Sequence, residues 1–110
     1  MQNRIDIKLI NYKFYSGKYI IYETNIKGKE YDGYDDNLLF EGEYLNWKRN
    51  GIGKEYYYGN LVFEGEYLDG KKHGIGKEYY HGILVFEGEY LNGERNGKGK
   101  EYNYNGQLIF

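Results

Sequence analysis

Self-similarity at a fixed spacing constrains this chain more than anything else in it. The run Phe40-Glu41-Gly42-Glu43-Tyr44-Leu45 returns as Phe63 to Leu68 and again as Phe86 to Leu91, a period of 23 residues. A second block follows each copy at the same offset: Gly51-Ile52-Gly53-Lys54-Glu55-Tyr56, then Gly74 to Tyr79, then Gly97 to Tyr102. Lys27-Gly28-Lys29-Glu30-Tyr31 is a worn copy of that second block. Counting back from Gly28 puts Tyr15-Ser16-Gly17-Lys18-Tyr19 where Phe-Glu-Gly-Glu-Tyr belongs. A period of this length marks one supersecondary unit per repeat, stacked on its neighbours. The chain therefore divides into an N-terminal capping strand at 1–12, a degenerate repeat at 13–37, and full repeats at 38–60, 61–83 and 84–106. Residues 107–110 are a terminal strand or the start of a fifth repeat.

Each repeat reads as two strands and a tight turn, because Asp69-Gly70 and Asn92-Gly93 supply the positive φ angles of a two-residue hairpin. A two-residue loop at Asp69-Gly70 pairs Leu68 with Lys71, Gly65 with Gly74 and Phe63 with Gly76, which sets an aromatic ring over a glycine. An odd period keeps its faces only if the other turn has an odd loop. A three-residue loop His81-Gly82-Ile83 meets that need and puts Glu78 opposite Phe86. A two-residue turn at Asn105-Gly106 puts Glu101 opposite Phe110. One face then carries Leu61, Phe63, Gly65, Tyr67, Gly74, Gly76, Glu78 and Tyr80; the other, mixed and wet, carries Val62, Glu64, Glu66, Leu68, His73, Ile75, Lys77 and Tyr79. The expected fold is all-β: an elongated single-layer antiparallel sheet of tandem hairpins with about ten strands and a length on the order of 45 Å, capped by Arg4 to Ile10.

Composition agrees and excludes several functions. Sixteen Tyr, five Phe and seventeen Gly in 110 residues, with no Pro or Cys, favour strands over helices. Without Cys there are no disulfides, thiolate metal sites or thiol nucleophiles, and nothing asks for an oxidising compartment, so the expected location is the cytoplasm. Fifteen basic and seventeen acidic residues are interspersed, net −2, without the basic stripe that binds nucleic acid or favours a membrane surface. Met1 to Tyr12 alternates polar and apolar instead of forming the apolar stretch of a signal peptide, and no run is long enough for a membrane-spanning helix.

The phrase Phe63-Glu64-Gly65-Glu66-Tyr67-Leu68-Asp69-Gly70-Lys71-Lys72-His73-Gly74-Ile75-Gly76-Lys77-Glu78-Tyr79 closely resembles the MORN (membrane occupation and recognition nexus) repeat: aromatic-x-Gly-x-aromatic, then Gly, then Gly-x-Gly. The resemblance runs through three full copies and one worn one, from about Lys13 to Phe110. The Glu-Tyr-Tyr run followed by Gly and Leu is also similar to variant repeats of bacterial proteins, some of them antitoxin-like. The resemblance implies an elongated sheet of hairpins used for protein contact or dimerisation, sometimes for phospholipid contact, and often attached to a catalytic domain. This chain departs from the pattern at Trp47, in place of the turn glycine, at Ile26, in place of the first Gly of Gly-x-Gly, and at Ile21-Tyr22, where the first turn belongs.

Candidate chemistry is sparse. Ser16, Thr24, His73 and His81 are the only hydroxyl and imidazole side chains a nucleophile–base pair has to draw on, and hydroxyls and histidines fall in different repeats. Two histidines make no metal site. The Gly-x-Gly blocks lie in strands and not between a strand and a helix, so they are not phosphate loops. Asp32-Gly33-Tyr34-Asp35-Asp36-Asn37 reads as a solvated turn before a weak Ca²⁺ site. Glu64 beside Lys54 reads as a cross-strand ion pair. Neither catalytic residues, nor a cofactor, nor a metal, nor a small-molecule substrate is expected. What remains is more aromatic surface than one sheet layer buries, and rings of this kind anchor interfaces. Tyr22, Trp47, Tyr57 and Tyr80 are the candidate protein-binding residues, Tyr22 and Trp47 as two aromatics on neighbouring turn tips. The expectation is thus a non-catalytic protein-interaction or scaffolding module, self-association included. Phospholipid binding is the first alternative; a carbohydrate-stacking or antitoxin-like role is the second.

Overall fold

The computed structural model describes residues 12–15 and 17–110; the expected cap at Arg4 to Ile10 and the side chain of Ser16 lie outside the described residues. Among the described residues nine strands form one antiparallel sheet in which each pairs with the next in chain order. They are β1 (Tyr12–Tyr15), β2 (Lys18–Tyr22), β3 (Lys27–Asp32), β4 (Leu38–Leu45), β5 (Lys48–Tyr57), β6 (Asn60–Leu68), β7 (Lys71–Tyr80), β8 (Ile83–Leu91) and β9 (Glu94–Glu101). The molecule measures 55 × 25 × 24 Å, so the array is longer than the expected ribbon. Its core is one layer of rings and aliphatic side chains: Ile20, Tyr22, Phe40, Tyr44, Phe63, Tyr67, Phe86 and Tyr90 are buried.

The register corrects the simple pairing at one place in each repeat. Leu68 faces Lys71 across the Asp69-Gly70 turn as expected, but Gly65 pairs with Gly76 and not Gly74, and Phe63 with Glu78 and not Gly76. His73, Gly74 and Ile75 together oppose Glu66 in a bulge, and β4–β5 and β8–β9 carry the same shift. Gly74 sits in the bulge at φ +74, as do Gly51 at +102 and Gly97 at +77, a region that glycine enters without steric cost. The opposing glutamate serves the bulge: Glu43 Oε1 accepts the Ile52 N–H at 2.9 Å. Because the bulge adds two residues, it leaves the alternation of faces intact, and Phe63, Gly65, Tyr67, Gly76 and Glu78 share a face as the sequence indicates.

The inter-repeat turn also differs. His81-Gly82 is a two-residue turn with φ +50 and +82, not the three-residue loop His81-Gly82-Ile83. The odd residue is instead Val85, bulged between Tyr79↔Leu84 and Glu78↔Phe86, so the expected pairing of Glu78 with Phe86 is reached by another route. In the same way Val62 is bulged and Leu61 pairs with Tyr56, away from the face of Phe63 where plain alternation had put it. Glu101 and Phe110 exchange backbone hydrogen bonds of 2.9 and 3.3 Å, as expected, although the intervening loop closes at Asn103 and Gln107 rather than as a two-residue Asn105-Gly106 turn.

Seven glycines, Gly28, Gly42, Gly53, Gly65, Gly76, Gly88 and Gly99, lie directly across from one another on successive strands. A Cβ on Gly76 would lie 2.5 Å from Phe63 Cζ and 3.1 Å from Tyr90 Cε1; Gly53 stands in the same relation to Phe40 and Tyr67. The glycine row is thus the floor on which the rings rest, which accounts for glycines in strand interiors where they otherwise weaken pairing.

The first hairpin has a different phase from the one its motif spacing indicates. Ile20↔Glu30 and Tyr22↔Gly28 reproduce Phe63↔Glu78 and Gly65↔Gly76, so Ile20-Ile21-Tyr22 stands in the place of Phe-Glu-Gly, not Tyr15-Ser16-Gly17. The turn falls at residues 23–26, where Lys27 O accepts the Glu23 and Thr24 N–H groups and Thr24 Oγ1 accepts those of Ile26 and Lys27. Tyr22 is therefore the end of a strand and not a turn tip.

Candidate interaction surface

Three glutamate positions recur through the full repeats, and each has its own task. The bulge takes Glu43 and its copies. Glu41, Glu64 and Glu87 accept the hydroxyls of Tyr56, Tyr79 and Tyr102, the last at 2.9 Å. Lys54 does face Glu64 across the strands, yet no ion pair joins them; the tyrosine takes the carboxylate instead. On the aromatic face Glu30, Glu55 and Glu78 accept Tyr44 (2.8 Å), Tyr67 and Tyr90. Two tyrosine-to-glutamate ladders thus run along the array, one on each face.

Arginines complete the aromatic-face ladder. Arg49 grips Glu30 through Nε at 2.8 Å and Nη2 at 3.0 Å and reaches Glu55 with Nη1 at 3.2 Å, while its guanidinium lies 4.2 Å above the Phe40 ring. Arg95 holds Glu78 in the same bidentate way and lies 4.0 Å above Phe86. Burial alone would push the Glu30 and Glu78 carboxyls up, but the arginine and tyrosine donors outweigh it and hold both below the ordinary value. The middle repeat has Lys72, whose ammonium lies 4.3 Å above Phe63 without an ion pair among the described residues. Sequence reading missed this ladder, because its members are far apart in the chain and meet only through stacking.

The four sequence candidates separate. Tyr22 is a correction: it is 8 % exposed, edge-on to Tyr44 and to Trp47 with centroids 5.2 Å apart in each case. Its hydroxyl is buried without a hydrogen-bond partner among the described residues, and burial, then the Glu30 charge, pushes its pKa up to about 12. Trp47 occupies the turn after Asn46 at φ +69 and is 56 % exposed. Tyr57 (65 %) and Tyr80 (51 %) are exposed at the inter-repeat turns, on the opposite edge from Trp47. Tyr58 and Tyr104, which were not singled out, stand with them: Tyr58 is edge-on to Tyr57, and Tyr104 stacks on Tyr80 with centroids 5.1 Å apart. The signal was there, since position 58 is filled by an aromatic or His in each full copy. His81 packs against Tyr80 at 4.3 Å, and the acidic turn closes on itself, with Asp32 Oδ1 accepting the Tyr34 N–H and Asp35 Oδ1 that of Asn37.

A family model described as MORN repeat matches residues 63–82 and 86–108. These segments are MORN repeats. The matched residues are the two hairpins β6–β7 and β8–β9, and the ring-over-glycine floor and the glutamate ladders described above are what their motif residues build. The crystal structure of TarM resembles this chain with a TM-score of 0.55 and 13 % identity over 96 % of it; the chain spans 20 % of that protein's length. At that identity the likeness is one of fold. No curated protein matches the chain. The matched MORN repeats support a repeat-based interaction or membrane-associated module.

Proposed function

We propose that this MORN array is a non-catalytic protein-interaction module, working in the cytoplasm without a cofactor, that holds its partner through the aromatic edge at the inter-repeat turns. The supporting observation is the contrast between tyrosines. Tyr56, Tyr79 and Tyr102 give their hydroxyls to glutamates, while Tyr57, Tyr58, Tyr80 and Tyr104 stand half or more exposed in a row along one edge. Aromatic rings with a polar tip anchor interfaces because they bury large area at low entropic cost. Side-by-side affinity capture with wild-type and Tyr57→Ser/Tyr80→Ser protein, both shown to melt alike, tests the reading. A partner held by the wild type and lost from the variant supports it. Equal retention by both, or binding only to anionic vesicles in flotation, overturns it.

A further inference from the structure

A cleft of about 530 Å³ lies at the N-terminal end of the aromatic face, where the short first hairpin meets the β4–β5 and β6–β7 turns. Ile20 and Trp47 provide its apolar wall. Its charged groups are four cations, Lys18, Lys48, Arg49 and Lys71, against two carboxylates, Glu30 and Asp69. Arg49 and Glu30 satisfy one another, and Lys48 pairs with Asp69 at 3.2 Å. Lys18 and Lys71 are in no ion pair among the described residues, so the cleft carries a local excess of positive charge on a chain whose net charge is −2.

Trp47 adds a second, independent observation. Its counterparts Gly70 and Gly93 hold the second position of the turn at φ +90, and Trp47 holds it at +69 with a bulky side chain. That conformation is unfavourable for a bulky side chain such as Trp, and such residues cluster where a surface has work to do. The ring is more than half exposed, steadied edge-on by Tyr22, and borders the cleft. The volume falls within the range of about 300–1,000 Å³ typical of ligand sites.

We propose that this cleft receives an acidic peptide segment of the partner, an apolar side chain packing on the exposed Trp47 ring while flanking carboxylates meet Lys18 and Lys71. The proposal rests on the reading of the chain as a protein-interaction module. Lysine ammoniums are point charges on flexible stems, suited to carboxylates of varied spacing and not to one bidentate geometry.

Trp47 is the only tryptophan, so its emission reports the cleft directly. The probe is a blocked peptide Glu-Glu-Phe-Glu-Asp, titrated into the full chain beside its lysine counterpart, inorganic phosphate, and phosphatidylcholine–phosphatidylserine vesicles. The expected result is a saturable change with the acidic peptide alone, weaker as salt rises. Affinity should fall about tenfold or more in Lys18→Glu/Lys71→Glu protein of unchanged melting temperature. No saturable change, an equal response to the lysine peptide, phosphate or vesicles, or full affinity in the variant overturns the proposal. Failure here together with a partner lost from Tyr57→Ser/Tyr80→Ser protein overturns the cleft and leaves the module reading standing; equal retention in that capture overturns the module reading itself.

Discussion

Hairpin β6–β7 seats the Phe63 ring over Gly76, with the Tyr90 ring of the next repeat beside it; hairpin β2–β3 fills the same layer with Ile20 and with Tyr22, which stands where a glycine stands elsewhere. Both regions keep the cross-strand carboxylate, Glu78 in one and Glu30 in the other. They differ in length past the glycine row. The regular hairpin continues through its bulge to Asp69-Gly70, whereas the first turns back directly after Tyr22. A shorter hairpin uncovers the end of its neighbour, and the Trp47 ring comes down on Tyr22 at that end. A worn repeat is therefore tolerated when the carboxylate pairing is kept and another ring supplies the missing volume.

The largest effect expected is that of pH, which acts on both regions at once. Burial first, and then the glutamate each meets, pushes Tyr56 and Tyr79 up to about 12 and Tyr44, Tyr67 and Tyr90 further. Unfolded phenols ionise near pH ~10. The folded array holds these protons longer, so its stability is whole below about pH 10 and is lost as pH climbs through the raised values. Tyrosinate absorbance and the β signal should change together in that window; ionisation that starts near pH ~10 with the sheet intact would contradict the ladders. Glu30 and Glu78 have the opposite sign: their lowered carboxyls contribute above the ordinary glutamate value and cease to contribute as pH falls through the folded one. Acid should therefore loosen both ends of the aromatic-face ladder, followed by amide exchange.

Next comes the glycine floor. Gly76→Val should cost about 1–3 kcal/mol in denaturant unfolding, because its Cβ alone would lie 2.5 Å from Phe63. Lys77→Val, on the wet face, should stay within about 0.5 kcal/mol. Gly28→Ala tests the comparison, since a Cβ there would meet Tyr22 and Ile21 O at 3.1 Å; it should cost less than Gly76→Ala. Equal losses would mean that the two regions pack alike after all.

Lys72 interrupts a ladder that arginine completes on either side. Lys72→Arg places a guanidinium between Glu55 and Glu78 in the manner of Arg49 between Glu30 and Glu55, and should raise stability by about 0.5–1 kcal/mol. A lower melting temperature would show that the carboxylates are already saturated. The smallest effect belongs to Trp47→Gly. Relief of the φ +69 turn, about 1 kcal/mol, opposes loss of the edge contact with Tyr22, also about 1 kcal/mol. Melting should hardly move, and a clear drop would make Trp47 mainly a capping residue.

Strand identity, the hairpin repeat and the sharing of a face by Phe63, Tyr67, Gly76 and Glu78 were legible because they depend on alternation and period, which local sequence carries. The bulge at His73 to Ile75 was not, since two extra residues restore parity and leave no trace in the pattern. Val85 was hidden for a related reason: a three-residue loop and a two-residue turn with a bulge deliver Glu78 to Phe86 equally well. Of the candidate surface, Trp47, Tyr57 and Tyr80 emerge exposed. Tyr22 does not, because its fate depended on where the first hairpin turned.

By itself, then, the sequence determined an all-β array of hairpins, its period and the chemistry of its rows, all of them set by which side chains recur and how far apart. Only the tertiary structure decided the phase of the first repeat, the arginine ladder from Glu30 to Glu101, and the cleft beside Trp47. Each of these arises from residues meeting across neighbouring and stacked strands, at places that turns, register and bulges set and that no local pattern encodes.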